Sequence, residues 1–395
     1  MDPKVKGASP FYPGQPVPVE LFTGRKAEIE RIARAASQVA AGKQQAIFLT
    51  GEYGIGKSSL AGYVSHFLEQ EYGLFGIHIL LGGVKDLDQL SAKTIEAILK
   101  TTAYEPTALE NLRNGLSKYV GKQELFGFSI NLEQIKTDSP QITKGYLPFL
   151  KQVLERLDQS KFKGILLILD EINGIASNPD FAHFIKSIID ENALNRKPLP
   201  LFLMLCGIEE RREQLIQIHP PIERIFEVAE IQPMNNEETR AFFMKAFDSV
   251  SIQIDDKALT RISHYSSGYP KLMHLIGEAV FFQDENNVID ITDANNGVFE
   301  AAAEFGKRYL EKQVLHALQS EDYHSILKKI FKDRLCYSFY KSGVEQLLSA
   351  TERKKFNNFL QRMKQLKVLK SGSSRGEYIF INKLIPLYIF LKFAT

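Results

Sequence analysis

Residues 48–60 of this sequence read FLTGEYGIGKSSL, in which three glycines, one lysine and two serines follow a short apolar run. Glycine adopts positive φ angles without steric penalty, but a glycine-rich segment is costly to order, so we expect a ligand to stabilise this loop. The stretch satisfies the pattern G-x-x-x-x-G-K-S/T, whose backbone amides surround phosphate groups. Its fixed positions are Gly51, Gly56, Lys57 and Ser58. The alternative is a glycine-rich turn that matches the pattern by chance.

The sequence on either side of this loop has the strand and the helix that the pattern requires. Residues 45–50 are short, apolar and rich in β-forming types, and residues 58–72 carry apolar side chains at helical spacing. We therefore expect the loop amides to hold the β-phosphate of ATP at the helix N-terminus. Lys57 would bridge the β- and γ-phosphates, and Ser58 would ligate Mg²⁺. The predicted nucleotide contacts also include Gly54, Ile55 and Ser59.

A second motif, GILLILDEING at residues 164–174, is an apolar run that ends in two adjacent carboxylates. Such a run is typical of a buried parallel strand, and the whole has the form of a Walker B motif. We expect Asp170 to hold the hydration shell of Mg²⁺ and Glu171 to polarise the attacking water, a role that needs a carboxylate one position beyond the metal ligand. The alternative is a strand followed by an acidic pair that caps a helix.

Two more apolar segments, residues 73–83 and 200–207, are predicted strands of the same sheet. Because predicted strands alternate with helical stretches such as residues 181–194, the sequence predicts a parallel α/β core. Residues 124–137 alternate between apolar and polar types and predict a hairpin, to which we assign no function.

A length of 395 residues indicates two or three compact units. A content of 44% hydrophobic and 24% charged residues is ordinary for a globular protein. The longest apolar runs are well short of the roughly 20 residues that cross a membrane, and no apolar signal segment opens the sequence. We therefore expect a cytoplasmic protein that does not act on membranes. Two cysteines, Cys206 and Cys336, are too few for a disulfide framework or a cysteine-based metal site.

Several segments occur in the order found in AAA+ ATPases: residues 17–32, the two motifs above, residues 220–234 and residues 266–279. The chain resembles the branch that contains the archaeal and eukaryotic origin-recognition initiators, and also the neighbouring STAND signalling ATPases. This resemblance extends over roughly residues 15–285. It implies a P-loop ATPase core with an α-helical lid and often a winged helix behind the lid.

Residues 17–25 resemble the hydrophobic-Gly-Arg segment that packs near adenine in this family. The resemblance implies a base pocket that contains Val17, Pro18, Phe22, Gly24 and Arg25. The family commonly has an acidic residue at the next position, where this chain has Lys26. The alternative is a hydrophobic lead into a helix, because Ile29, Ile32, Ala36 and Val39 recur at helical spacing.

Arg224 occupies the position at which related ATPases place an arginine that reaches the γ-phosphate of a neighbouring subunit. The resemblance therefore implies a homo-oligomer in which assembly completes the catalytic site. The alternative is a surface ion pair with Glu223, which would contribute little to stability.

Pro270 and Lys271 resemble the lid motif in which the initiators usually have an arginine that contacts phosphate. Lysine supplies a point charge without the fork geometry of arginine, and the alternative is a tight turn between helices. At the end of the strand at 200–207, the family usually has a polar side chain, whereas this chain has Cys206 and Gly207. Fast hydrolysis is therefore not expected.

The C-terminal fifth of the chain is basic, because residues 321–395 contain 15 Lys and Arg against six Asp and Glu. We predict three domains: an ATPase core (1–232), a helical lid (233–317) with a long helix over roughly 292–316, and a winged-helix domain (318–395) with three helices followed by strand, turn and strand. The third helix is predicted to bury five apolar residues that recur at 3.6-residue spacing: Phe356, Phe359, Leu360, Met363 and Leu366. The predicted contacts to duplex DNA are Arg353, Lys354, Lys355, Asn358, Arg362 and Arg375.

The favoured interpretation is an ATPase whose nucleotide state controls assembly and whose basic domain binds DNA or a protein partner. One alternative is a STAND-like signalling or defence scaffold that holds ATP or ADP as a switch without binding DNA. Another is a regulator of transposition or defence that polymerises on duplex DNA. These alternatives remain open at the level of the sequence.

Overall fold

A five-stranded parallel sheet forms the centre of residues 16–232 in the computed structural model. The structure describes residues 6–102, 124–125, 128–129, 139–316, 318, 320–332 and 334–393. The strands are β1 (Gln45–Gly51), β2 (Leu74–Leu80), β3 (Gly164–Asp170), β4 (Leu201–Gly207) and β5 (Glu227–Ile231). They lie in the order β2-β3-β4-β1-β5, with β2 and β5 at the edges. The predicted α/β class with a parallel core is confirmed.

Strands β3 and β4 are buried along their whole length, which is why they appear in the sequence as continuous apolar runs. Leu49 pairs with Cys206, and Leu205 pairs with Leu169, so β1, β4 and β3 end at the same edge of the sheet. Ligands bind in open parallel sheets in the crevice beyond the carboxyl ends of the strands.

Helices accompany these strands. They are α1 (Lys26–Ala40), α2 (Lys57–Tyr72), α3 (Leu87–Thr102), α4 (Ser139–Arg156), α5 (Pro179–Leu194) and α6 (Glu209–Ile218). Alternate residues of the sheet, including Phe48, Ile77, Leu167 and Leu203, form one core cluster with helices α3 to α6. The predicted hairpin corresponds to two short antiparallel strands, Glu124–Leu125 and Phe128–Ser129. Its remaining residues, 126–127 and 130–137, lie outside the described part of the chain.

Residues 6–15 and 233–393 form a second compact unit. Its first helices are α7 (Asn236–Asp248), α8 (Asp256–Ser266), α9 (Pro270–Gln283) and α10 (Ile291–Phe305). Two short strands, Gln253–Ile254 and Val288–Ile289, pair in parallel beside them. Capping boxes at Asn235 and Asp290 fix the starts of α7 and α10.

Residues 291–315 are helical, in agreement with the long helix predicted over roughly 292–316, but the helix changes type half-way along. Helix α10 ends at Phe305, and Gly306–Leu315 is a π-helix. The ring of Tyr388 lies only 2.2 Å from the position that a Cβ on Gly306 would occupy. Close packing of another part of the chain on Gly306 therefore accompanies the change in hydrogen bonding, and helical periodicity in the sequence does not reveal it.

The C-terminal part of this unit contains α11 (Glu321–Ile330), α12 (Lys341–Glu345), α13 (Ala350–Gln365) and α14 (Leu384–Phe393). Strands β6 (Ser338–Tyr340), β7 (Leu369–Ser371) and β8 (Glu377–Phe380) form an antiparallel sheet in the order β6-β8-β7. Three helices followed by strand, turn and strand are thus present where the sequence predicts them. Sequence reasoning missed β6 and α14.

Residues 6–12 pack against the helices of this second unit. Phe11 is 4% exposed and its ring contacts Phe247 at 5.1 Å between centroids. The ring also fills the space beside Gly277, where a Cβ would lie 2.2 Å from it. Lys6 forms an ion pair of 2.5 Å with Asp284, whose side chain is fully buried. The N-terminal segment is therefore part of the core of this unit.

We expect Phe11→Ala to lower the free energy of unfolding by about 3 kcal/mol, because it removes a buried ring and leaves a cavity. Urea unfolding followed by circular dichroism measures the change. The matched control is Phe282→Ala, since Phe282 lies in the same unit and is 56% exposed, and we expect it to change stability by less than about 0.5 kcal/mol. Equal effects of the two substitutions would contradict a structural role for Phe11.

Among the described residues, no helix is long and apolar enough to cross a membrane.

Candidate functional site

The glycine-rich loop connects β1 to α2 and depends on glycine at both ends. Gly51 has φ +153, and a Cβ there would lie 2.8 Å from the carbonyl oxygen of Ile231. Gly56 is the N-cap of α2 in the left-handed region, with φ +95. Gly54 also has a positive φ, whereas Ile55 between these glycines is 1% exposed and anchors the loop in the core. The loop therefore leads directly into a helix N-terminus, where backbone N–H groups favour an anion.

Lys57 is the first residue of α2, and its ammonium group bends back over the loop. Its Nζ donates to the carbonyl oxygens of Gly51 at 2.8 Å and Glu52 at 2.9 Å. Ser58 and Ser59 follow in the first turn and are half-buried. The predicted phosphate-binding residues 51–59 are thus brought together in one loop and one helix turn.

Asp170 ends β3 and is 2% exposed. Both of its carboxylate oxygens have a hydrogen-bond partner: Oδ1 accepts from the backbone N–H of Glu171 at 2.8 Å, and Oδ2 lies 3.3 Å from Nε2 of His78. Buried polar groups need hydrogen-bond partners to offset the loss of hydration, and these two contacts supply them. The plane of the Asp170 carboxylate is therefore fixed from two sides.

Glu171 has φ +58, which is uncommon for a residue with a side chain. Strained backbone of this kind costs about 1–3 kcal/mol and is concentrated at functional sites. The Glu171 side chain is exposed, and its Oε2 would lie 2.6 Å from a Cβ on Gly82. Glycine at position 82 thus provides the space for the Glu171 carboxylate beside the turn that follows β2.

Cys206, near the end of β4, is a buried thiol that is influenced by the charges of Asp170 and Lys57. Burial raises the pKa of its thiol well above the usual value, the negative charge of Asp170 raises it further, and the positive charge of Lys57 lowers it. The strand register places Asp170, at the end of β3, and the loop after β1, which leads into Lys57, at the same end of the sheet. Gly207 has no side chain, and a larger residue would be crowded there, because its Cβ would lie 3.0 Å from Ile172. The thiol stays neutral, and this position offers no charged group.

The arrangement of the loop, Lys57 and the acidic pair agrees with the comparison with known families, in which residues 21–204 match the AAA ATPase domain. This segment is an AAA ATPase domain. A search of curated protein sequences found no significant match.

Solved structures are similar to the chain over nearly its whole length. One is the ORC2 protein of Aeropyrum pernix in ADPNP–ADP complexes, with 14% identity, 98% of this chain and 97% of that chain covered, and a TM-score of 0.60. Another is a Walker-type ATPase of Pyrococcus abyssi, with 13% identity, coverage of 93% and 96%, and a TM-score of 0.54. The Cdc6p protein of Pyrobaculum aerophilum has 13% identity, 97% coverage of both chains and a TM-score of 0.50. At these identities the similarity concerns the fold.

Arg25 of the AAA ATPase domain is the N-cap of α1 and is 3% exposed. Its guanidinium donates to the carbonyl oxygen of Ile55 at 3.0 Å and to that of Gln232. Arg25 therefore connects the glycine-rich loop to Gln232, the residue that follows β5. Its predicted place in the base pocket remains a prediction, while its contacts show it holding the backbone of the loop.

Two of the other predicted base-pocket residues, Val17 and Phe22, contact residues of α2. The backbone N–H of Val17 donates to Oγ of Ser59 at 3.4 Å, and Pro18 precedes a 3₁₀ turn at Val19–Leu21. Phe22 stacks on Tyr63 with 4.5 Å between ring centroids and an interplanar angle of 16°. Val17 and Phe22 are thus near the first turns of α2, and a base pocket at this place remains a prediction. The sequence did not predict the stacking of Tyr63 on Phe22.

Arg224 ends a 3₁₀ helix, Pro220–Arg224, just before β5. It is exposed, and no ion pair joins it to Glu223 or to any other residue that the structure describes. The alternative of a surface ion pair with Glu223 is thus not observed. A role toward a neighbouring subunit remains a prediction.

Pro270 and Lys271 belong to the second unit, where they begin α9. The preceding Gly268 has φ +72, and a Cβ there would lie 2.1 Å from the carbonyl oxygen of Met234. Nζ of Lys271 lies 3.6 Å from the centroid of the Tyr309 ring, a cation–π contact. The tight turn is therefore present, and a contact of Lys271 with phosphate remains a prediction.

Helix α13 buries Phe356, Phe359, Leu360 and Met363, as its periodicity predicts, while Leu366 is only half-buried because it is the C-cap. The residues predicted to contact DNA are all exposed: Arg353, Lys354, Lys355, Asn358, Arg362 and, in the turn between β7 and β8, Arg375. Two of them have partners among the residues that the structure describes. Nε of Arg353 donates to the carbonyl oxygen of Glu345 at 2.8 Å, and Nζ of Lys355 lies 2.6 Å from Asp322.

Proposed function

We propose that this protein binds ATP with Mg²⁺ and hydrolyses it slowly in the crevice beyond the carboxyl ends of β1, β3 and β4. The observation that carries this proposal is the convergence of Lys57 and the Asp170–Glu171 pair at one edge of the sheet. Loop amides, an ammonium group, a hydroxyl group and two carboxylates are the donor set that a magnesium nucleotide needs. The residues present therefore fit this cofactor.

Each residue has a defined task in this proposal. The amides of residues 51–57 hold the phosphates, and Lys57 exchanges its two carbonyl partners for β- and γ-phosphate oxygens. Ser58 and Asp170 would hold Mg²⁺, which neutralises charge that develops on the phosphates. Glu171 orients a water molecule and accepts its proton.

We propose that turnover is slow because β4 ends in Cys206 and Gly207. A neutral buried thiol and a glycine provide no strong hydrogen bond to the γ-phosphate, and removal of one such donor typically lowers kcat about 100-fold or more. A long-lived ATP state suits a protein whose nucleotide controls assembly. The solved ORC2 protein with a similar fold was determined in ADPNP–ADP complexes, which supports nucleotide binding by this fold.

We further propose a homo-oligomer in which Arg224 reaches the nucleotide of a neighbouring subunit. Its exposure next to β5 supports this role, as does the absence of an ion-pair partner among the described residues. An arginine supplied in this way stabilises charge in the transition state only after assembly.

Arg224→Ala should leave ATP binding unchanged and lower the hydrolysis rate of the oligomer about tenfold, a smaller effect than in fast ATPases because basal turnover is slow. Light scattering measures mass, and phosphate release measures the rate over a range of protein concentrations. Arg196→Ala is the matched control, since Arg196 is also exposed and lies in the loop after α5. A chain that stays monomeric with ATP, or a variant that hydrolyses normally in an oligomer, would disprove this assignment.

For the second unit we propose a helical lid at 233–317 and a winged helix at 318–395, in which α13 is the recognition helix and the β7–β8 turn is the wing. The order of helices and strands and the exposed cations of α13 support binding to duplex DNA. Mass and ATPase rate measured with and without duplex DNA separate the alternatives. A change of mass with ATP and no DNA binding indicates a nucleotide switch that acts on a protein partner, and filaments that need both ATP and DNA indicate a polymerising regulator.

A further inference from the structure

We infer that His78 positions the Asp170 carboxylate for Mg²⁺, an inference that rests on the proposed function. His78 lies on the edge strand β2, where Leu80 pairs with Asp170 on β3. Its Nε2 is 3.3 Å from Oδ2 of Asp170, and its side chain is 25% exposed against 2% for Asp170. The imidazole is thus within hydrogen-bond distance of a carboxylate that is almost fully buried.

The face of the sheet on which His78 lies supports this role. Phe75, Ile77 and Ile79 point into the core cluster with α3 to α6, so His78 lies on the opposite face. Helix α2 covers that face, because a Cβ on Gly76 would lie 2.2 Å from Oγ of Ser65. His78 therefore lies on the face of the sheet that α2 covers, and the first turn of α2 contains Lys57 and Ser58.

The hydrogen bonds of Asp170 explain why a donor is needed there. Oδ1 is held by the N–H of Glu171, so one further donor on Oδ2 fixes the rotation of the carboxylate about Cβ–Cγ. Groups that hold a metal ligand in this way orient it and strengthen its affinity for metal, and their replacement typically weakens metal binding 10- to 100-fold. His78 acts through Asp170 and is thus a positioning residue.

A merely structural histidine would give a different result. If His78 only stabilised β2, its loss would weaken nucleotide binding with and without metal to the same degree. A positioning role predicts that only the dependence on Mg²⁺ changes. The test therefore measures binding of a fluorescent ADP to the full-length protein in EDTA and over a titration of Mg²⁺.

His78→Leu should raise the half-saturating Mg²⁺ concentration about tenfold and change ADP affinity in EDTA by less than about twofold. His78→Gln places an amide N–H near the position of Nε2 and should restore the midpoint to within about threefold of wild type. His78→Asn keeps polarity but is too short to reach Oδ2, so it should behave like the Leu variant and serves if that variant does not fold. His66→Leu, on the exposed side of α2, is the matched control and should have no effect.

The inference is overturned if the Leu and Asn variants keep the wild-type Mg²⁺ midpoint, or if they lose affinity equally in EDTA. It is also overturned if the Gln variant is no better than the Asn variant. Failure of the proposed function is distinguishable, because the wild-type protein would then bind no nucleotide at any Mg²⁺ concentration, and the role of His78 would fail with it.

Discussion

Glu171→Gln should leave ATP bound and reduce its hydrolysis about a thousandfold, the range that a general base contributes. The amide still fits beside Gly82 and leaves the phosphate loop, Lys57 and Asp170 in place, but it cannot accept a proton from water. Lys57→Ala should instead abolish nucleotide binding, because it removes the cation that bridges the phosphates. Fluorescent-nucleotide binding and single-turnover hydrolysis measure the two effects separately.

The control for this pair is Glu71→Gln. Glu71 is an exposed acidic residue near the C-terminal end of α2, and the loop lies at the other end of that helix. We expect it to bind and hydrolyse ATP within about twofold of wild type. An equal loss of ATP binding in the Glu171 and Lys57 variants would contradict the assignment of Glu171 as the group that activates water. Normal hydrolysis by Glu171→Gln would contradict it as well.

The sequence predicted four of the five strands because apolar side chains continue along each of them. Residues 45–50, 73–83, 164–170 and 200–207 are apolar runs, and each contains or closely matches an observed strand. The order of the strands was not predicted, because pairing such as Leu205 with Leu169 joins segments that no local pattern connects. The two sequence motifs therefore identified the ends of strands, and the structure showed that these ends meet.

Arg25 illustrates what a local pattern leaves out. Its position after Gly24 produced a resemblance to a base-binding segment, but its guanidinium bonds to Gln232, which is 207 residues away in the sequence. His78 is a similar case, since one histidine in an apolar strand carries no signal until Asp170 is known to lie beside it. Contacts of this kind depend on tertiary packing and cannot be read from periodicity.

In the C-terminal region, helical periodicity identified the buried face of α13 but not the partners of its exposed cations. Lys355 pairs with Asp322 on α11, and Arg353 bonds to the carbonyl oxygen of Glu345. These contacts must be exchanged before either residue can neutralise a phosphate. Lys354, Arg362 and Arg375 are not bonded to Glu345 or Asp322. They can therefore approach a phosphate without breaking those contacts.

Binding of the full-length protein to a random duplex should therefore depend steeply on salt. Contacts with about four to six phosphates give a slope of log K against log salt of roughly −4 to −5, so affinity should fall about 250- to 1,000-fold between 50 and 200 mM salt. Fluorescence anisotropy with ATP present measures the slope. Base preference should be weak, because cations on flexible stems position the protein more than they specify bases.

Lys354→Glu combined with Arg362→Glu should make this slope less negative by about 2, since each phosphate contact contributes about 0.9. The matched control is Lys257→Glu combined with Lys307→Glu, which changes net charge equally at exposed positions of the same unit outside α13. Equal slopes for the two double variants would show that total charge, and not the face of α13, governs binding. Absence of binding at 50 mM salt would instead leave α13 as a surface for a protein partner, because its exposed cations would then have no polyanion to neutralise.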